Sequence, residues 1–150
     1  PLIAAGGIAT GEAMLAARVL GAEGVQIGTR FALTAESSAN EVFKDYCLHL
    51  EEGDTRLLLK KLAPVRLVRN NFRSAVEAAE AVGASEEELR ILLGRAKRGI
   101  FEGDLEEGEL EIGQVSVLLH GKGVQSVASV MQELVEESRR AWERMQELDF

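Results

Sequence analysis

One cysteine (Cys47), two prolines and one tryptophan are the whole supply of these residues in a 150-residue chain. A lone cysteine excludes an internal disulfide and a cysteine-built metal centre. It suits a reducing cytoplasm. No apolar run approaches the ~18 residues of a membrane-spanning helix, and no stretch resembles a signal peptide. Basic residues are outnumbered, 17 Lys and Arg against 25 Asp and Glu. A pI of about 4.9 argues against binding duplex nucleic acid, which calls for a basic patch. The deficit is uneven: residues 1–75 hold 9 basic and 8 acidic side chains, residues 76–150 hold 8 and 17. The halves therefore carry +1 and −9, and a small anionic ligand suits the first. Apolar residues at 46% and charged ones at 28% are those of an ordinary globular protein.

The first 31 residues are the most informative. Leu2, Ile3, Ala4 and Ala5 form a short apolar run that stops at Gly6-Gly7. Thr10 is a helix cap, Glu12 an acid in the first turn, and residues 12–20 are rich in alanine, with Gly21 at the stop position. Val25 and Ile27 form a second short strand, closed by Gly28-Thr29. Strand, helix, strand with a crossover of this length is a βαβ unit with parallel strands.

Beyond it the pattern is helical. Ser37 or Ser38 is expected to cap a helix with Val42, Phe43, Tyr46, Cys47 and Leu50 as its apolar stripe. Residues 55–62 suggest a short helix broken by Pro64, and residues 65–72 an extended or irregular piece. Helices are expected over 72–82, from the capping box Ser85–Glu88 through Leu89, Leu92, Leu93 and Ala96, over 110–119, and from 124 to Leu148. In the last, Val127, Met131, Leu134, Val135, Ser138, Trp142 and Met145 share a face. Only two strands are expected, both before residue 31. Parallel sheets need both faces covered, so the chain is expected to be the C-terminal part of a larger α/β protein. Pro1 at a strand edge points the same way.

Two glycine motifs, each ending a strand and one βα unit apart, can grip one anion from two sides. Bare backbone lets a phosphate approach amide donors that a Cβ would keep at a distance. In a (β/α)8 barrel such a site is built by the loops after strands 7 and 8. On the residues alone the ligand stays open among flavin mononucleotide (FMN), a nucleotide and a sugar phosphate.

Longer segments narrow the choice. Ala-Ala-Gly-Gly-Ile from Ala4, Leu-Gly-Ala-Glu-Gly-Val-Gln-Ile-Gly-Thr-Arg-Phe from Leu20, and Glu-Ser-Ser-Ala-Asn from Glu36 with Lys44 downstream resemble the nitronate monooxygenase family. This family was formerly called 2-nitropropane dioxygenase and includes the flavin-dependent enoyl-(acyl-carrier-protein) reductase. Pro-Val-Arg-Leu-Val-Arg-Asn-Asn-Phe from Pro64 resembles the family's exit into a small helical lid, and residues 102–116 its return. The resemblance covers essentially the whole chain. It implies an α/β fold, the C-terminal part of a (β/α)8 TIM barrel: strands 7 and 8 in residues 1–63, a helical lid in 64–107, and a return to the barrel in 108–150.

The resemblance further implies FMN as cofactor. Gly7, with Gly6 beside it, and the run Gln26, Ile27, Gly28 and Thr29 would hold its phosphate. Gly113 and Gln114 would lie near the substrate pocket. The substrate would be a nitronate oxidised with O2 or, in the reductase branch, an enoyl thioester reduced with NAD(P)H. A homodimer is compatible with it. The family's catalytic histidine lies in the earlier half of the barrel and has no counterpart here, so no catalytic residue is assigned. A phosphate-gripping barrel without flavin and a non-catalytic half-barrel are the alternatives.

Other chemistry-bearing residues are weighed as structural. His49 is expected at a partly buried helix position and His120 at a helix end. The acidic run from Glu102 to Glu111 matches no calcium loop and is expected to be a solvated face. Trp142 is expected in the core. Arg30 is expected in a surface ion pair, with help to a phosphate as the lesser alternative.

Overall fold

The computed structural model describes residues 1–94 and 98–147. The chain divides into two compact units, one of residues 1–37 with the chain from 124 onward, the other of residues 38–123.

The first unit is built on the expected βαβ arrangement. Strands β1 (Ile3–Ala5) and β2 (Gly24–Gln26) pair in parallel, with Ile3 opposite Gly24 and Ala5 opposite Gln26. Helix α1 (Gly11–Val19) connects them. Thr10 caps it by accepting from the Ala13 amide at 3.2 Å, and Gly21 turns the chain out of it at φ +102°. A four-residue helix, α2 (Thr29–Ala32), follows β2 directly. Ile3 remains 53% exposed, more than a strand of a covered parallel sheet shows.

The long helix α7 (Val127–Gln146) packs along α1. Ser126 caps it, so it begins three residues later than expected. Its buried residues are Val130, Leu134 and Ala141, not the expected stripe. Leu134 alone is common to both. Met131, Val135 and Met145 are exposed, and Trp142, expected in the core, is 49% exposed. Leu148, the expected helix end, lies outside the described residues.

The second unit departs further from expectation. Asn40, not Ser37 or Ser38, caps α3 (Glu41–Cys47), accepting from the Val42 amide at 2.9 Å. Phe43 and Cys47 are buried, while Val42 is exposed. The expected helix over 55–62 is instead strand β3 (Thr55–Leu58), antiparallel to β4 (Val65–Val68), with Leu57 opposite Arg66 and Leu58 opposite Val65. The described residues thus hold four strands where two were expected. Leucine and lysine favour helix only weakly, and the strand pairing that buries Leu58 and Leu67 in one core outweighs that preference. Between the strands, Leu59 sits at φ +58° yet is 1% exposed. Burying a leucine yields about 1.5–3 kcal/mol, enough to offset the ~1–2 kcal/mol of a left-handed residue.

Helices α4 (Asn71–Ala81) and α5 (Glu86–Gly94) cover the hairpin, with Phe72, Val76 and Leu89 completing its core. The capping box is reciprocal: Ser85 N donates to Glu88 Oε2 at 2.8 Å and Glu88 N to Ser85 Oγ at 3.3 Å. Ala96, expected on this helix, lies outside the described residues. Helix α6 (Arg98–Glu102) opens the acidic stretch. The expected helix over 110–119 is not continuous. Glu111 bridges to Leu67 in extended conformation, and a 3-10 helix follows at Gln114–Leu119. Among the described residues of 64–107, β4 is followed by α4, α5 and α6.

Candidate functional site

The parallel register sets the site. Because Ala5 lies opposite Gln26, Gly6-Gly7 and Ile27-Gly28-Thr29 leave the sheet at the same edge. Gly6 and Gly7 have φ of +84° and +75°, which only glycine adopts without strain. Gly28 is different. Its φ of −94° and ψ of −68° suit any residue, and a Cβ built on it meets nothing within 4 Å. A Cβ on Gly6 or Gly7 also points into open space. All three positions are exposed, and at each a side chain would occupy space that bare backbone leaves open. Gln26 is exposed, Ile27 and Thr29 half-buried, and Gly28 caps α2.

The first turn of α1 is closed to a ligand. The Gly11 amide donates to Glu137 Oε2 at 2.7 Å, Ala13 N to Thr10 Oγ1, and Met14 N to the Thr10 carbonyl at 3.1 Å. A hydrogen bond from its own backbone amide holds the Glu12 carboxyl below its usual range. A protein carboxylate therefore already sits at this helix N-terminus. An anion is left the loop after β1 and the start of α2.

Arg30 follows Thr29 and is buried, not in the surface pair expected of it. Its Nη1 donates to the Ala9 carbonyl oxygen at 2.6 Å, and its Nη2 pairs with Glu133 Oε2. Glu137 lies 3.9 Å from Nη1, and Gln125 Nε2 donates to Glu133 Oε2 at 3.1 Å. Arg30 Nε is buried without a partner among the described residues. The acids lie more than a hundred residues downstream of Arg30. Their one visible trace in the sequence is the four-residue spacing of Glu133 and Glu137, which puts both on one face of α7.

Gly113 and Gln114 lie in the second unit, where Gly113 caps the 3-10 helix. A cavity of about 630 Å3 there is lined by Thr55, Arg66, Gln114, Ser116 and Leu118, among others. Arg66 Nη1 donates to Thr55 O at 3.2 Å and Oγ1 at 3.3 Å. His49 is exposed rather than partly buried, and its ring meets that of His120 edge-on at 6.0 Å. Burial pushes the Cys47 thiol up to about 12, which removes it as a nucleophile at neutral pH. The acidic stretch is organised by its own backbone: Asp104 Oδ1 accepts from the amides of Glu106 and Glu107. Among the described residues no three metal-ligating side chains gather, and no helix is long and apolar enough to cross a membrane.

Comparison with known proteins extends these observations. A probable nitronate monooxygenase of Staphylococcus haemolyticus (strain JCSC1435) is 51% identical over 55 residues, which is 37% of this chain and 15% of that protein. The match to a Staphylococcus aureus protein of the same name covers 16% of it. FabK from Thermotoga maritima superposes with a TM-score of 0.86 at 34% identity, covering 97% of this chain and 46% of that one. Nitroalkane oxidase from Streptomyces ansochromogenes gives a TM-score of 0.75 at 27% identity, covering 97% and 41%. The chain thus spans less than half of either solved protein, and shares its α/β fold over that span. Residues 1–137 match the family model described as nitronate monooxygenase, so the glycine motifs and the helices around them are those of a member of the nitronate monooxygenase family.

Proposed function

We propose that this chain is the C-terminal part of an FMN-dependent oxidoreductase that oxidises nitronates with O2. In this reading β1 and β2 are strands 7 and 8 of a (β/α)8 barrel, and residues 64–107 are inserted after strand 8. The observation that carries it is Gly28. Neither its backbone angles nor its packing calls for glycine; a ligand lying against the backbone does. The family's flavin supplies the group that fits, through its phosphate.

FMN, when bound, supplies the redox chemistry. The chain's own part is to bind and orient. Backbone donors of Gly6 and Gly7 meet the phosphate on one side, and those of the Gln26, Ile27, Gly28, Thr29 run on the other. Because Glu137 already takes the Gly11 amide at the start of α1, the grip is made by loops rather than by that helix end. Gly113 and Gln114 are assigned to the substrate pocket. No proton-transfer residue is assigned within this chain.

The test is to purify the complete polypeptide, record its visible flavin absorbance, and follow O2 uptake on adding an alkyl nitronate. A yellow protein with nitronate-dependent O2 uptake supports the reading. A yellow protein that ignores nitronates but reduces an enoyl thioester with NAD(P)H keeps the phosphate site and replaces the reaction. A colourless protein that does not take up FMN overturns both.

A further inference from the structure

Arg30 is a buried ion beside the glycine motifs that the phosphate reading leaves unused. Its side chain is 1% exposed, and burying a guanidinium is costly unless its charge is paired; Nε is the one nitrogen left without a partner among the described residues. Its fork faces two ways. One arm reaches back to the Ala9 carbonyl, at the far end of the loop that begins with Gly6-Gly7. The same arm has Glu137 3.9 Å away, and the other meets Glu133 on α7. Both acids are themselves held, Glu133 by Gln125 and Glu137 by the Gly11 amide. Two carboxylates against one guanidinium leave no positive charge to spare for an anion. Arg30 is therefore not a phosphate ligand.

What it does is mechanical. Gly6 and Gly7 are exposed and have open space beside them, so packing does not fix their loop. Ala9, three residues after Gly6, is 1% exposed and is the loop's anchor. The group that holds the Ala9 carbonyl stands on α2, two residues after Gly28. One rigid fork thus joins the two glycine motifs.

We propose that Arg30 is the positioning residue of the phosphate grip: it holds the loop after β1 at a fixed spacing from the loop after β2, with Glu133 and Glu137 as its abutment. The proposal rests on the reading that these glycines hold the FMN phosphate. Lysine cannot substitute. Its ammonium is a single point on a flexible stem and does not reproduce a planar fork aimed at both Ala9 and Glu133.

The test compares FMN with riboflavin, the same ring system without the phosphate. Arg30→Lys and Glu133→Gln are made in the complete polypeptide, stripped of flavin, and titrated with each. Loosened positioning weakens FMN on the order of ten-fold, the scale of one charge-assisted hydrogen bond, and leaves riboflavin binding unchanged. A merely structural role shifts both flavins together or lowers the melting temperature alone, and either result overturns the proposal. If Arg30→Lys does not fold, Glu133→Gln decides, since it keeps the guanidinium, its Ala9 bond and its Glu137 partner. Gly28→Val separates the two levels. If it leaves the preference for FMN over riboflavin intact, the phosphate reading fails and this proposal with it. If it abolishes that preference while Arg30→Lys and Glu133→Gln keep it, only the positioning role fails.

Discussion

Gly11 and Glu137 meet across 126 residues of sequence, the amide of the first donating to Oε2 of the second at 2.7 Å. The contact needs glycine. A Cβ on Gly11 would collide with the Leu134 carbonyl oxygen and the Ser138 nitrogen, both backbone atoms of α7 that cannot swing away. Gly11→Ala should therefore push the two helices apart, at the ~1–3 kcal/mol typical of overpacking. Urea unfolding of the complete polypeptide measures this. A variant as stable as the parent would show that α1 and α7 do not approach so closely.

Cys47 should resist alkylation. It is 0% exposed, and its thiol is raised to about 12 by burial, so it carries almost no thiolate at pH 8. Labelling with iodoacetamide should be slow in the folded protein and fast in denaturant. The same shift makes a stability prediction. A thiol whose folded pKa lies above its unfolded value of about 8.5 leaves stability intact below that pH and lowers it as pH rises beyond. Rapid labelling at neutral pH without denaturant would contradict the burial.

Glu77 should make stability depend on acid pH. A hydrogen bond from Arg73 Nε at 2.8 Å, helped by Arg56 at 3.3 Å, holds its carboxyl below the usual range. A lowered folded pKa contributes stability above the unfolded value of about 4.3 and loses it as pH falls through the folded one. Glu77→Gln should lower the melting temperature at pH 7 and cost progressively less as the pH drops below 4. The side chain is 30% exposed, so screening keeps the effect within about 1 kcal/mol. An equal loss at both ends of the pH range would assign the effect to packing.

How much of this was legible depended on the range of the signal. The β1–α1–β2 order could be read because its markers are local: Gly6-Gly7, the Thr10 cap, Gly21. The Ser85–Glu88 box was legible for the same reason. The β3–β4 hairpin was not, because Leu57, Leu58, Lys60 and Lys61 also suit a helix and only pairing with Val65–Val68 decides against it. On α7, two apolar stripes run side by side at helical spacing, Val130, Leu134 and Ala141 against Met131, Val135 and Trp142. Periodicity cannot say which faces α1. At the site, the glycines were visible, but the partners of Arg30 were not. Nothing near Arg30 in the sequence announces Glu133, Glu137 or the Ala9 carbonyl.

The central claim, that bare backbone at the ends of β1 and β2 holds a phosphate, is tested most directly at Gly28. At φ −94° with open space beside it, this position accepts a side chain without strain or collision in the protein itself. Gly7→Val is a poorer probe, because φ +75° penalises any side chain whether or not a ligand is present. The measurement is the FMN dissociation constant of Gly28→Val in the complete polypeptide, beside its melting temperature without flavin. The account predicts an unchanged melting temperature and FMN binding weakened roughly ten- to a hundred-fold, the worth of one hydrogen bond to a charged group. Unchanged FMN affinity in a normally folded Gly28→Val protein would contradict it.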